Sequence, residues 1–65
     1  MRTFDDEMLE KIRENYTEYI GPIAFRLVQY YSKQTSSLEQ LVNELADEIP
    51  DAKDSQAFRE HWLQV

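Results

Sequence analysis

Cysteine is absent from this 65-residue sequence, and glycine and histidine each occur once. Without cysteine the chain forms neither a disulfide nor a thiolate metal site, and a single histidine does not complete a zinc site. One glycine is too few for a glycine-rich loop that cradles phosphate. His61 is expected to pack beside Phe58 and Trp62, because the pattern supplies no partner that would orient it as a base. The sequence therefore predicts no enzymatic active site, no metal and no cofactor.

Basic residues are also scarce, with seven lysines and arginines against thirteen acidic residues and a net charge of −6. Nucleic-acid binding requires clustered positive charge, so we expect no nucleic-acid partner and no attraction to an anionic membrane surface. No apolar run approaches the roughly 20 residues that span a bilayer, which predicts no membrane insertion. The acidic start MRTFDDEMLEKI is unlike a signal peptide, and with the missing cysteine it favours a cytoplasmic location.

What the sequence does contain is a helical periodicity of apolar residues, and no segment alternates as a half-buried strand does. It predicts one all-α domain over residues 1–65, a compact bundle of four short helices at about 5–19, 22–34, 37–49 and 55–64. The apolar pattern continues to the last residue, which is compatible with a domain excised from a longer protein. The predicted core residues are Phe4, Met8, Leu9, Ile12, Tyr16, Tyr19, Ile20, Ile23, Ala24, Leu27, Val28, Tyr31, Leu38, Leu41, Val42, Leu45, Ala46, Ile49, Ala57, Phe58, His61, Trp62 and Val65.

Gly21 and Pro22 interrupt the most apolar segment, EYIGPIAFRLVQYY. Glycine is favoured just past a helix end, and proline is tolerated at the first position of a helix, where its missing N–H has no partner to lose. The order glycine then proline therefore predicts a sharp corner that joins the first two helices with almost no loop.

The later helix boundaries are indicated by capping residues. Ser36 with Glu39, or Ser37 with Gln40, matches the capping box that opens a helix, and Pro50 is expected to end that helix. The acid-rich segment that follows is interpreted as a solvated connector that supplies caps. The candidate caps of the last helix are Asp51, Asp54 and Ser55.

Three apolar residues, Phe25, Leu63 and Tyr30, are predicted to leave the core face of their helices. Scattered exposed apolar residues are normal and need no function. An exposed aromatic side chain beside arginine is instead typical of a protein-contact hot spot. The second interpretation gives a candidate partner-binding set of Phe25, Arg26, Gln29, Lys33 and Leu63.

The segments YIGPIAFRLV and LEQLVNELADEIP, followed by an acidic connector and a phenylalanine, resemble a small C-terminal helical domain of bacterial signalling proteins. Such domains accompany eukaryotic-like serine/threonine protein kinases and nucleotide cyclases. One departure is that the helix after Pro22 tends to be rich in arginine and alanine in that family. The matching positions are Gly21, Pro22, Ile23, Ala24, Leu27, Val28, Leu41, Leu45, Ala46, Ile49, Pro50 and Phe58.

The resemblance implies an accessory domain with no catalytic residues of its own. The function expected from it is a non-enzymatic protein-interaction or regulatory module that binds a protein partner or a second copy of itself. The alternative is a free-standing acidic adaptor or inhibitor that presents its acidic helices to a basic partner protein, with binding that weakens as salt is added.

Overall fold

A computed structural model of the chain describes residues 4–63. Within them the fold is all-helical, with no strand, and its dimensions are 34 × 26 × 18 Å. Helical structure runs without interruption over residues 6–34, 38–47 and 52–63. The expectation of an all-α compact domain is confirmed, whereas four separate helices are corrected to three uninterrupted runs. The elements are α1 (Asp6–Ile20), a 3₁₀ turn (Gly21–Ile23), α2 (Ala24–Gln34), α3 (Leu38–Asp47) and α4 (Ala52–Leu63).

The junction of α1 and α2 explains the smaller number of runs. Gly21 has φ 79° and ψ −156°, and its N–H donates to the carbonyl of Thr17. The N–H of Ala24 donates to the carbonyl of Gly21. Pro22 lies in the first turn of the 3₁₀ segment, where its missing N–H loses no required donor, and helical structure lies on both sides of the pair. No residue outside helical structure therefore separates α1 from α2.

The N-termini of the helices are fixed by side-chain caps. Asp5 accepts a hydrogen bond from the backbone N–H of Glu7 at 3.1 Å at the start of α1. Ser37 caps α3 by accepting from the N–H of Gln40 at 3.1 Å, which selects the second of the two predicted capping pairs. Asp51 caps α4 through the N–H groups of residues 53 and 54, so α4 begins at Ala52, earlier than expected.

The core lies where all the helices meet. Tyr16 of α1 is completely buried; its ring centroid lies 5.1 Å from that of Phe58 on α4, and its hydroxyl donates to the carbonyl of Leu45 on α3 at 2.6 Å. A ring packed on one helix and hydrogen-bonded to another holds three helices together. The buried apolar residues are Phe4, Ile12, Tyr16, Ala24, Val28, Leu41, Val42, Leu45, Ala46, Ile49 and Phe58, all of them predicted.

Four residues assigned to the core are in fact exposed. Met8 and Ile23 are 37% and 52% exposed, and Ala57 and His61 also face solvent. Ile23 lies in the 3₁₀ turn, which rotates its side chain away from the α-helical register. Ala57 and His61 were misplaced because the buried stripe of α4 includes polar residues. Val65 lies outside the described residues.

Polar contacts join α3 and α4. Ser55 is buried and its hydroxyl donates to the carbonyl of Ala46 at 2.9 Å. Arg59 donates from Nε to Asn43 at 2.9 Å, from one Nη to Ser55 at 2.9 Å, and from the other Nη to the carboxylate of Asp47 at 2.6 Å. Ser55 is therefore a buried contact between α3 and α4 and not a helix cap. The inward face of α4 includes this polar residue, so it differs from the face that the apolar residues alone predict.

Candidate functional site

The predicted binding residues of α2 lie together on one exposed surface. Phe25, Gln29 and Lys33 follow one another at intervals of four residues, and Arg26 and Tyr30 form a parallel row, so neighbours in each row lie one turn apart. Phe25 and Tyr30 are 54% and 57% exposed although both are aromatic. We call these five residues the α2 outer surface.

The charge of this surface differs from that of the remainder of the molecule. All thirteen acidic residues lie in exposed positions, and none of them falls within α2. Within residues 4–63, Lys11 pairs with Glu7 and Arg59 pairs with Asp47, whereas Arg26 and Lys33 have no carboxylate partner. The α2 outer surface is thus a locally positive strip on a chain of net charge −6.

Arg13 of α1 belongs to this site and was not predicted. Its guanidinium carbon lies 5.7 Å from the centroid of the Phe25 ring, within the range of a cation–π contact. Its Nε is buried without a hydrogen-bond partner among the described residues, and the side chain as a whole is partly exposed. Its position beside Ile12 and Leu9 at the flank of the apolar stripe of α1 is the signal that could have identified it.

Leu63 does not belong to the site. It was expected to point away from the core, but it is partly buried and packs against the core. The inward stripe of α4 contains Ser55 and Arg59, eight and four residues before Leu63, which places Leu63 on the same side. A hydrophobic pattern does not register these polar residues, and this is why the prediction was wrong.

The 3₁₀ turn extends the exposed apolar area towards the start of α2. Pro22 and Ile23 are both exposed, and together with Arg26 they line a shallow depression. The depression lies next to Phe25 along the chain. The surface therefore offers a small apolar hollow at one end and Lys33 at the other end.

A family model described as a domain of unknown function, DUF8082, matches residues 7–65, which cover all of α1 except its first residue and every element that follows. The chain belongs to the DUF8082 family. No curated protein and no solved structure matches it.

The DUF8082 domain has a different electrostatic character on the side of α2 that faces α3. Tyr31 is partly buried, and desolvation is the largest cause that raises the pKa of its hydroxyl. The carboxylates of Glu48 and Glu44 raise this pKa further, because they oppose a second negative charge nearby. Thus α2 separates a positive outer surface from the acidic end of α3.

His61 and Ser55 are the polar side chains of α4 in the DUF8082 domain that the sequence had singled out. His61 is exposed, its ring meets that of Trp62 edge to face at 4.9 Å, and it has no hydrogen-bond partner among residues 4–63. The hydroxyl of Ser55 is engaged with Ala46 and Arg59. No group of three or more metal-ligating side chains is found between residues 4 and 63. No helix in that range has the length and apolar character needed to cross a membrane.

Proposed function

We propose that this DUF8082 domain is a non-enzymatic protein-interaction or regulatory module that binds its partner on the α2 outer surface. The observation that supports the proposal is the exposure of Phe25 and Tyr30 beside Arg26 and Lys33 on a single helix. Aromatic and arginine side chains dominate binding energy at protein interfaces. Single exposed apolar residues are ordinary, but here two aromatic rings lie beside two cations that have no carboxylate partner among residues 4–63.

The proposed setting is the cytoplasm of a bacterium, within a signalling protein such as a serine/threonine protein kinase or a nucleotide cyclase. The support is the resemblance carried by the Gly21–Ala24 segment and by the leucine-rich helix that precedes Pro50. In such a protein the domain would recruit a regulator or pair two copies of its parent through the same surface.

Gly21 and Pro22 have a structural role in this proposal, because they set the direction in which α2 leaves α1. A straight helix over residues 6–34 would be about 43 Å long. The longest dimension of the molecule is 34 Å, so the run has to bend. The positive φ of Gly21 supports a bend at this residue, and the bend presents the α2 outer surface to solvent.

Position-specific photo-crosslinking tests the proposal. A benzophenone amino acid replaces Gln29 on the α2 outer surface, and a matched chain carries it at Gln56, an exposed glutamine on α4. We expect a discrete crosslinked protein from position 29 in cells that produce the chain, and its loss when Phe25→Ala is added. Identical crosslinks from both positions, or crosslinks that survive Phe25→Ala, would contradict binding on α2.

The alternative function, an acidic adaptor that binds a basic protein, is favoured by a different observation. Glu7, Glu10, Glu14 and Glu18 recur at intervals of three and four residues on α1, and all are exposed. They form one acidic stripe. Placing the same crosslinker at Glu14 distinguishes the two functions. A crosslink from position 14 that disappears at high salt, with none from position 29, would replace the leading proposal.

A further inference from the structure

We infer that the α2 outer surface binds an acidic, amphipathic helical segment of another protein. The inference rests on the proposed function, because it specifies the partner chemistry of the same surface. It is carried by three cations: Arg13 contacts the Phe25 ring, and Arg26 and Lys33 lie on the same exposed surface of α2. None of the three has a carboxylate partner among residues 4–63.

The absence of internal pairing is informative because carboxylates are abundant. Thirteen acidic residues are exposed in a chain that has only seven lysines and arginines, yet the cations around Phe25 are not neutralised by them in the described part. An acidic partner would supply the missing charge. The same partner would be repelled by the glutamate stripe of α1, which does not include Arg13, and by the exposed acids of α3, so the field of the molecule directs it to the α2 outer surface.

Arg13 adds to the α2 outer surface a cation that is held against an aromatic ring. Its guanidinium lies against the Phe25 ring, and its Nε–H is buried without an acceptor among residues 4–63. An arginine held against an aromatic ring has already lost part of its side-chain freedom, and the Arg13 side chain as a whole is partly exposed. A carboxylate that reaches this guanidinium gains a charge-assisted hydrogen bond from a preoriented group.

The exposed rings require that the acidic segment also carries large apolar side chains. Phe25 and Tyr30 are more than half exposed, and the hollow lined by Pro22, Ile23 and Arg26 adjoins Phe25. An apolar side chain in that hollow, flanked by aspartate or glutamate, matches both features. Residues 4–63 contain no strand edge with which an extended segment could pair, and we therefore take a helix as the form of the partner segment.

A second copy of the chain fits this surface less well. In a two-fold symmetric pair the same surface appears on both sides. Packing α2 on the α2 of a copy would bring Arg26 and Lys33 of one chain close to the same cations of the other. Like charges brought together in this way oppose association. Charge complementarity therefore favours a different, acidic partner.

Selection from a display library tests the inference although the partner protein is unidentified. Short helical peptides randomised on one face are displayed on phage and selected against the whole chain. Enriched peptides are synthesised, and their affinity is measured by fluorescence anisotropy at low and at physiological ionic strength. We expect enriched sequences to place aspartate or glutamate beside a large apolar residue, with binding that weakens as salt is added.

Two lysines provide a matched pair of variants. Lys33 on α2 and Lys53 on α4 are both exposed and neither has a carboxylate partner among the described residues. Lys33→Gln should weaken binding about two- to fivefold, as expected for an exposed ion pair, whereas Lys53→Gln should leave it unchanged. Arg13→Gln should weaken it about tenfold. Circular dichroism checks the folding of each variant, and Arg26→Gln replaces Arg13→Gln if the latter is unfolded.

The outcomes separate this inference from the proposed function. Neutral or basic enriched peptides whose binding is still lost in Phe25→Ala would overturn the acidic partner but leave α2 as the binding surface. Binding that is insensitive to Phe25→Ala and Lys33→Gln would overturn both. A selection that enriches no peptide would overturn the inference of an acidic helical partner. If sedimentation equilibrium then gave a dimer that Phe25→Ala dissociates, the occupant would be a second copy.

Discussion

At the scale of single residues, Gly21 is a position where the backbone conformation disfavours every other amino acid. Its φ of 79° with ψ of −156° lies in a region that only glycine adopts readily. A Cβ added at this position would meet no atom within 4 Å, so a substitution there has no steric neighbour to displace. We expect Gly21→Ala to lower the free energy of unfolding by about 1–3 kcal/mol through backbone strain alone, measured by urea denaturation.

D-alanine at position 21 provides the control for this prediction. For a D-residue these angles are the mirror image of the extended, polyproline-like conformation that L-residues adopt easily. A chemically synthesised chain with D-alanine should therefore be at least as stable as the natural chain, because it restricts the unfolded state without strain. Equal destabilisation by both alanine isomers would show that strain at φ is not the cause.

The contact between Arg13 and Phe25 is the other feature that belongs to the residue scale. An exposed phenylalanine on its own carries no charge and can move among its staggered rotamers. With a guanidinium 5.7 Å from its ring centroid, it becomes part of a composite site with a fixed cation. This pairing across α1 and α2 is why Arg13 is a part of the inferred site although it lies outside α2.

At the scale of helices, the start of α3 tests how much a side-chain N-cap stabilises the molecule. The Ser37 hydroxyl accepts from the N–H of Gln40 at 3.1 Å. We expect Ser37→Ala to lower the free energy of unfolding by about 1 kcal/mol, since it leaves an N–H at the first turn without a partner. The measurement is chemical denaturation followed by circular dichroism.

The adjacent serine is the matched control for Ser37→Ala. Ser36 interacts with the Gln40 side chain mainly through its backbone N–H at 3.1 Å, which alanine keeps, whereas its hydroxyl lies 3.4 Å away in an exposed position. Ser36→Ala should therefore change stability by less than about 0.5 kcal/mol. A larger loss from Ser36→Ala than from Ser37→Ala would mean that the cap has been assigned to the wrong residue.

The same scale shows how much of the fold could be predicted. Apolar periodicity gave the core residues of α1, α2 and α3 because solvent-avoiding side chains alone decide which face is buried. It misplaced the face of α4, where Ser55 and Arg59 are oriented by hydrogen bonds to α3. It also missed Arg13, because a contact between two helices is not encoded in the period of either one.

The candidate site was predictable for a related reason. Phe25, Arg26, Gln29 and Lys33 share a surface because they lie on one helix, whose period fixes their relative directions. Leu63 was assigned to the exterior by the same reasoning and is partly buried, since the axis of the α4 stripe depends on its polar contacts. A period determines which residues lie together on a helix, but tertiary contacts determine which side is covered.

At the scale of the whole molecule, acidic side chains are distributed unevenly among the helices. The carboxylates of α1, α3 and α4 are exposed, and α2 carries Arg26 and Lys33 without an acid. A molecule with this distribution orients charged partners before contact, which affects association rate more than final affinity. The buried core fixes the relative positions of the helices, and thereby the positions of the charges that they carry.

Tyr16 connects three helices within that core, because it lies on α1 and contacts both α3 and α4. Its hydroxyl donates to the Leu45 carbonyl of α3 at 2.6 Å, and its ring packs against Phe58 of α4. Tyr16→Phe keeps the ring and removes the donor. We expect a loss of about 1 kcal/mol at neutral pH, seen as a fall in Tm of about 4–8 °C. Tyr19→Phe removes a hydroxyl without a hydrogen-bond partner in the described part and should change Tm little.

Alkaline pH tests the same residue in the natural chain. Desolvation, with a smaller contribution from the Glu48 carboxylate, raises the pKa of Tyr16 above its ordinary value of 10.0. The folded state therefore holds the phenolic proton more tightly than the unfolded chain does. The stability that results is complete below about pH 10 and is lost as the pH rises towards the folded-state pKa. Melting curves between neutral and strongly alkaline pH should thus show a Tm that falls more steeply in the natural chain than in Tyr16→Phe. Parallel curves would show that the pKa of Tyr16 is the same in the folded and the unfolded chain, and hence that its hydroxyl is not buried in solution.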